Sequence, residues 1–274
     1  MLMNDRMNRE SKIYYSRAGS AKAFLEKALE IFEKRLRGKI LIKPNLVSDE
    51  PYPTTTDPEL FQELLHLLKG RFELGSGDGS AADLLQPGKA LKNHLLYKLA
   101  QGEGIKFYDF YQEEMLTGRT GLGDKWEFSA IAGKFDTIIS LPVLKTHINV
   151  FLTGALKNQF GFLARRDRAK AHFQGRGLLE RAIVGINQLC PAHIFIVDFR
   201  ETLLNSNEVR HGGKTAKAGW LFAGEDPVAL DYFGFSLLKE IEPKLFGKSP
   251  EEIKYLSLAK NSGLGNDKFE LIEL

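Results

Sequence analysis

The sequence predicts an α/β fold, a mainly parallel sheet with helices on both faces, built as one domain over residues 1–274. Strand-like and helix-like segments alternate almost from end to end, and the central strands are short β-branched runs of the kind buried on both faces. No repeat, low-complexity tract or linker divides the chain.

Lys12 to Ser16 reads as a first strand, and Ser20 caps a helix whose apolar residues Ala21, Phe24, Leu25, Ala28, Phe32 and Leu36 share a face. Lys39 to Lys43 (KILIK) is a second strand. Asp57-Pro58-Glu59 joins an N-cap, a proline at the first helical position and a first-turn acid, which predicts a helix to about Leu68. Phe72 to Leu74 leads into a glycine-rich turn, Gly75 to Ser80. A helix is expected from Gly88 to Leu99 and a strand from Ile105 to Phe110, and the glycines of Thr117 to Asp124 suggest an exposed loop. Thr137 to Leu141 (TIISL) suits a sheet centre, and Ile194 to Val197 is another strand. Between them lie helical segments around Gly154 to Gln159 and Leu178 to Leu189. Asp226-Pro227 and Ser249-Pro250-Glu251-Glu252 open the last two helices, the second with capping-box spacing.

Composition narrows the function classes. A hydrophobic fraction of 43% supports a sizeable core, and 38 basic against 35 acidic residues leave a formal charge of +3, with no global field for nucleic acid or membrane. The only cysteine, Cys190, rules out an intramolecular disulfide, a CxxC pair and an iron–sulfur cluster held by this chain alone, and a reducing cytoplasm is the expected location. Met1 to Lys12 is polar with mixed charge, unlike a signal peptide or anchor, and no segment approaches a membrane span.

Open α/β sheets bind ligands outside the carboxyl ends of their strands, so polar residues just after strands carry the most weight. These are Lys43 and Asn45, Asp78, Lys145 and His147, Asp198, and Glu225 with Asp226. Lys43 reads equally as a solvated strand-end lysine or a ligand contact. Lys145, Thr146 and His147 follow a buried strand and a proline, a poor place for three polar residues unless they face a cleft. Lys157 and Asn158, in GALKNQFG, taken alone read as the polar face of a short helix that buries Leu156 and Phe160.

The stretch GSGDGS lacks the third glycine of GxGxxG and sets an acid, Asp78, where it would repel phosphate; there is no GxxxxGK[ST], HExxH or GxSxG motif. Arg165, Arg166, Arg168, Lys170, His172 and Arg176 form one basic run, which suits an exposed helix or, on a second reading, closes over an anion bound by Lys145 and Lys157. The sparse aromatics of this run argue against nucleic acid. Among candidate metal ligands, Asp226 is explained as an N-cap and Asp78 as a turn residue, leaving Asp198 and His147 beside lysines that repel a cation. The expectation is no resident metal.

The series IKPNL, TTTDPEL, GDGS, ISLPVLKTH, GALKNQFGF, His172, VDF and AGEDPVALD resembles the family catalogued as domain of unknown function 362, from about Lys39 to about Gly234. The resemblance places Lys43, Asn45, Lys145, His147, Lys157, Asn158, Asp198 and Asp231 at that family's characteristic polar positions. Family members often carry a cysteine-rich iron–sulfur segment, absent here. They also place a glycine-proline motif in the loop after Asp198, where this chain reads FRETLLNSNEVRHGG.

Two functions are therefore expected. In the first, Lys43, Asn45, Lys157, Asn158 and Asp198 bind an anionic small molecule, carboxylate or phosphate, with Lys145 and His147 as acid-base groups. In the second, the chain is an interaction module that docks on a separate iron–sulfur or enzyme subunit; the partners expected are an anionic small molecule and a protein partner or homo-oligomer. No cofactor is identified.

Overall fold

The computed structural model describes residues 10–17, 19–175 and 177–274; the expectations for Met1 to Arg9 and for Arg176 fall outside them. Its strands are β1 (Ser11–Arg17), β2 (Lys39–Pro44), β3 (Glu73–Asp78), β4 (Lys106–Asp109), β5 (Met115–Arg119), β6 (Lys125–Ser129), β7 (Thr137–Leu141), β8 (Lys145–His147), β9 (Phe151–Thr153), β10 (Ile194–Leu204), β11 (Lys214–Gly224) and β12 (Phe269–Glu273). Eight of them form one sheet in the order β12-β1-β11-β10-β7-β2-β3-β4. Only β11 runs against the others, pairing antiparallel with both β1 and β10.

The helices are α1 (Ala21–Ile31), α2 (Pro58–Leu68), α3 (Pro87–Asn93), α4 (Leu95–Gly102), α5 (Ala155–Asn158), α6 (Arg165–Phe173), α7 (Leu178–Leu189), α8 (Pro227–Lys239) and α9 (Lys254–Asn261). Strand residues alternate between two apolar layers, as a period of two requires. Leu41, Ile138, Phe195 and Val197 pack in the layer that holds α7, α8 and α9. Ile40, Ile42, Ile139, Ile194 and Ile196 pack in the opposite layer, with α1, α2 and α4. This is the α/β architecture with helices on both faces. Ser20, Asp57 and Asp226 accept backbone N–H groups as N-caps of α1, α2 and α8, and Ser249 with Glu252 forms a capping box.

Four local expectations are corrected. The expected glycine-rich turn is strand as far as Asp78, because β2 and β4 pair with it on either side, and glycine is needed there since a side chain at Gly75 or Gly77 would collide with Phe135 or with the Tyr108 carbonyl. The helix from Gly88 to Leu99 is two, broken at His94, whose Nδ1 accepts the Leu96 N–H as the N-cap of α4. The loop from Thr117 to Asp124 belongs to the β5-β6 hairpin. Strand β10 continues past Val197 to Leu204 because β11 supplies a partner along that length.

Strand β2 lies between β3 and β7, and all three run parallel. The connections after β2 and β7 therefore leave in different directions, which opens a crevice at their carboxyl ends.

Candidate functional site

The crevice contains a cavity of about 210 Å³, lined by Asn45, Lys145, His147, Lys157 and Asn158, with Asp78, Arg168, His172 and Glu208 completing much of its polar wall. Five of the seven predicted ligand or acid-base residues thus share one space. Lys43 and Asp198 do not line it.

Lys43 is fully buried behind the wall, where its ammonium meets Asp78 at 2.7 Å and donates to the Pro44 carbonyl at 3.1 Å. The reading of Lys43 as a solvated lysine is corrected, since β3 sets an acid beside it. Burial draws its pKa down, opposed by Asp78. Asp198 is held by Arg200 at 2.7 Å and by the Tyr52 hydroxyl at 3.1 Å. Arg200 also pairs with Asp57, so Asp198 anchors the base of α2 to β10.

Lys145 and His147 lie on β8, which pairs with β9 in a hairpin over the sheet edge. Alternation along β8 sends these two side chains to the cavity and Thr146 the other way, where its hydroxyl donates to buried Glu242 at 2.6 Å. Glu242 also accepts the Asn205 N–H at 2.6 Å, which ties the hairpin to the turn after β10. The Lys145 ammonium donates to the Thr54 carbonyl. Burial brings Lys145 down to about 7, opposed by the charges of Glu208 and Glu50. His147 Nδ1 accepts the Asn149 N–H at 3.1 Å, so the neutral ring carries its proton on Nε2 and offers a donor. Burial, then Lys157, His172 and Lys145, holds His147 well below its ordinary pKa.

Lys157 and Asn158 are not the polar face of an exposed helix, for all four residues of α5 are buried. Asn158 donates to Ser140 Oγ at 2.9 Å and to the Lys43 carbonyl at 3.3 Å, which stitches α5 to β7 and β2. Lys157 Nζ stands 4.0 Å from the centroid of Phe160. It has no hydrogen-bond or ion-pair partner among the described residues. Burial, then Arg168, Lys145 and Lys43, holds its pKa well below the usual range.

The basic run forms α6, and it is exposed on one side only. Arg166 projects into solvent, whereas Asp167 accepts the Glu127 N–H at 2.7 Å and Arg168 turns inward. Arg168 and His172, four residues apart, share the face turned to the cavity. Arg168 donates to the Ser80 carbonyl and to Tyr111 Oη, both at 2.8 Å, and its Nε has no partner. The His172 ring lies parallel to that of His147 with centroids 6.3 Å apart, and burial with Lys157 and Arg168 brings His172 to about 3.

Arg168 was legible only as one of six basic residues; its spacing from His172 was the available signal. Glu208 carried no signal. It is buried by the turn after β10 and pairs with Arg210 at 2.8 Å. The metal candidates Asp78, Asp198 and Asp226 go to Lys43, to Arg200 and to the α8 N-terminus. Among the described residues no three His, Cys, Asp or Glu side chains converge as metal ligands, and no helix is long and apolar enough to cross a membrane.

The fold is similar to that of a lactate racemase apoprotein from Thermoanaerobacterium thermosaccharolyticum, with a TM-score of 0.53 at 14% identity. The match covers 86% of this chain and 58% of that protein, so the chain spans less than two thirds of its length. A protein from Thermotoga maritima matches with a TM-score of 0.44 at 11% identity, over 90% of this chain and 60% of that one. No curated protein matches significantly. The model of the family described as Domain of unknown function (DUF362) matches residues 40–236, which is more than half of the sequence, and the chain belongs to that family.

Proposed function

We propose that the cleft binds a small anionic molecule, a carboxylate or phosphate, and that the protein is an enzyme using Lys145 as its acid-base group. One observation carries this reading. Lys145 and Arg168 are 0% and 5% exposed around one cavity, yet neither has a carboxylate partner among the described residues. The acids nearby are engaged elsewhere, Asp78 by Lys43 and Glu208 by Arg210. Buried charges are ordinarily paired, and an anionic ligand is the partner this arrangement calls for.

Lys145, brought to about 7, gives and takes a proton near neutral pH. His147, neutral with its proton on Nε2, serves as a hydrogen-bond donor to the ligand, as a base would need the nitrogen that Asn149 occupies. The racemase of similar fold acts, by its name, on lactate, a small carboxylate of the class proposed.

Titration calorimetry with lactate and with inorganic phosphate tests the reading. At least one should bind, and Arg168→Ala should weaken it about 10- to 100-fold, the equivalent of one hydrogen-bonded charge. Equal affinity in wild type, Arg168→Ala and Lys145→Ala would reject it.

Binding should also depend on pH. An anion raises the pKa of Lys145 from its value of about 7, so the complex takes up a proton above that pH. Affinity should be greatest below about 7 and fall about tenfold per pH unit above it for one proton taken up. Calorimetry in buffers of different ionisation enthalpy would read that uptake directly; no uptake at pH 8 would contradict it.

A further inference from the structure

We propose that Lys157 forms an imine with the carbonyl carbon of a small 2-oxo acid bound in the cleft; this rests on the anion-binding reading above and narrows its ligand class. Lys157 is 9% exposed, lines the cavity, and touches the Phe160 ring at 4.0 Å without a hydrogen bond or ion pair among the described residues. An ammonium carries three N–H donors and is costly to bury without acceptors; an amine at the same place leaves a lone pair facing the cavity. The neighbouring charges of Arg168, Lys145 and Lys43 push in the same direction. Desolvation beside other cations is how a lysine becomes a nucleophile toward carbonyls.

Arg168 supplies the second half of the recognition. Its Cζ lies 5.3 Å from the centroid of the same Phe160 ring, and its Nε is buried without a partner. A carboxylate bound to Arg168 sets the adjacent carbonyl carbon of a 2-oxo acid toward Lys157. Hydroxy acids and phosphate can occupy the same place but offer no carbonyl.

The reaction needs no oxidant or reductant. The Lys157 lone pair attacks the carbonyl carbon, and the C=O electron pair moves to oxygen. That oxygen takes a proton from Lys145 and the nitrogen returns one to Lys145, which gives a carbinolamine and leaves Lys145 protonated for the second transfer. Closure of C=N then expels the hydroxyl as water after a second protonation, so amine and ketone become imine and water.

The test uses the whole chain, pyruvate as probe and borohydride as trap, followed by peptide mapping. Wild type should carry a reduced pyruvate adduct on Lys157 in preference to all surface lysines, and excess lactate should suppress it. Lys157→Arg should lose that adduct. Because mapping compares lysines within the wild-type protein, the test does not depend on the variant folding. Lactate or phosphate binding without a Lys157 adduct would overturn the imine and leave the anion reading intact; absence of the adduct and of binding by either anion would overturn both.

Discussion

Asp78→Ala is expected to destabilise the protein by about 3–5 kcal/mol, the effect of leaving one member of a buried ion pair alone. Lys43 is fully buried, and apart from Asp78 its ammonium has the Pro44 carbonyl alone at 3.1 Å. The same carboxylate accepts the Leu46 and Gly79 N–H groups, each at 2.8 Å, so the substitution orphans two buried donors as well. A typical domain is stable by about 5–15 kcal/mol, and the variant should therefore stand close to unfolding. Urea titration would show a lower midpoint at unchanged slope. Lys43→Met combined with Asp78→Asn should recover much of the loss, since the charge goes and an acceptor stays. A loss below about 1 kcal/mol for Asp78→Ala would mean the pair contributes no more than a surface one.

The second large effect is expected at Asp231, which acts on the site through α5. Its carboxylate accepts the Ala155 N–H at 2.6 Å and the Leu156 N–H at 3.1 Å, at the start of the turn that carries Lys157 and Asn158. Gly154 permits this approach, because a Cβ there would sit 2.2 Å from Asp231 Oδ1. Asp231→Ala should cost about 1–3 kcal/mol for each N–H left unsatisfied and should weaken anion binding as α5 shifts. Gly154→Ala should act in the same direction by pushing the carboxylate away. Unchanged stability and affinity in both variants would refute the role.

Asp231 also makes stability depend on pH in a definite direction. Burial outweighs the hydrogen bonds that oppose it and raises its pKa from 3.8 to about 7. Between about pH 4 and about pH 7 the unfolded chain has released a proton that the folded chain retains, so this group makes stability fall as pH rises through that window. Above it the loss is constant. Asp231→Asn, which cannot ionise, should remove that slope from thermal melts recorded across the window.

Residues with a local physical signature were legible in the sequence. TIISL announced a central strand because β-branched residues suit a strand buried on both faces, and β7 occupies those residues. Asp57 and Asp226, each followed by proline, announced helix starts because capping needs only near neighbours. Parallel strands bring their carboxyl ends to one edge, which is why Asn45, Lys145 and His147, set after different strands, meet in one cavity.

The tertiary structure decided what depends on partners far along the chain. Whether Lys43 faces solvent or Asp78 turns on the pairing of β2 with β3, a contact between residues 35 apart. Asp198 lies within β10, where Arg200 and Tyr52 withdraw it from the cavity. Arg168 differs from Arg166 only in the face of α6 it occupies, and that face is chosen by packing against the loop after β3. Strand ends place a side chain near the edge of a sheet by local geometry alone, whereas its charge partner, and so its freedom to meet a ligand, comes from chain segments that only folding brings beside it.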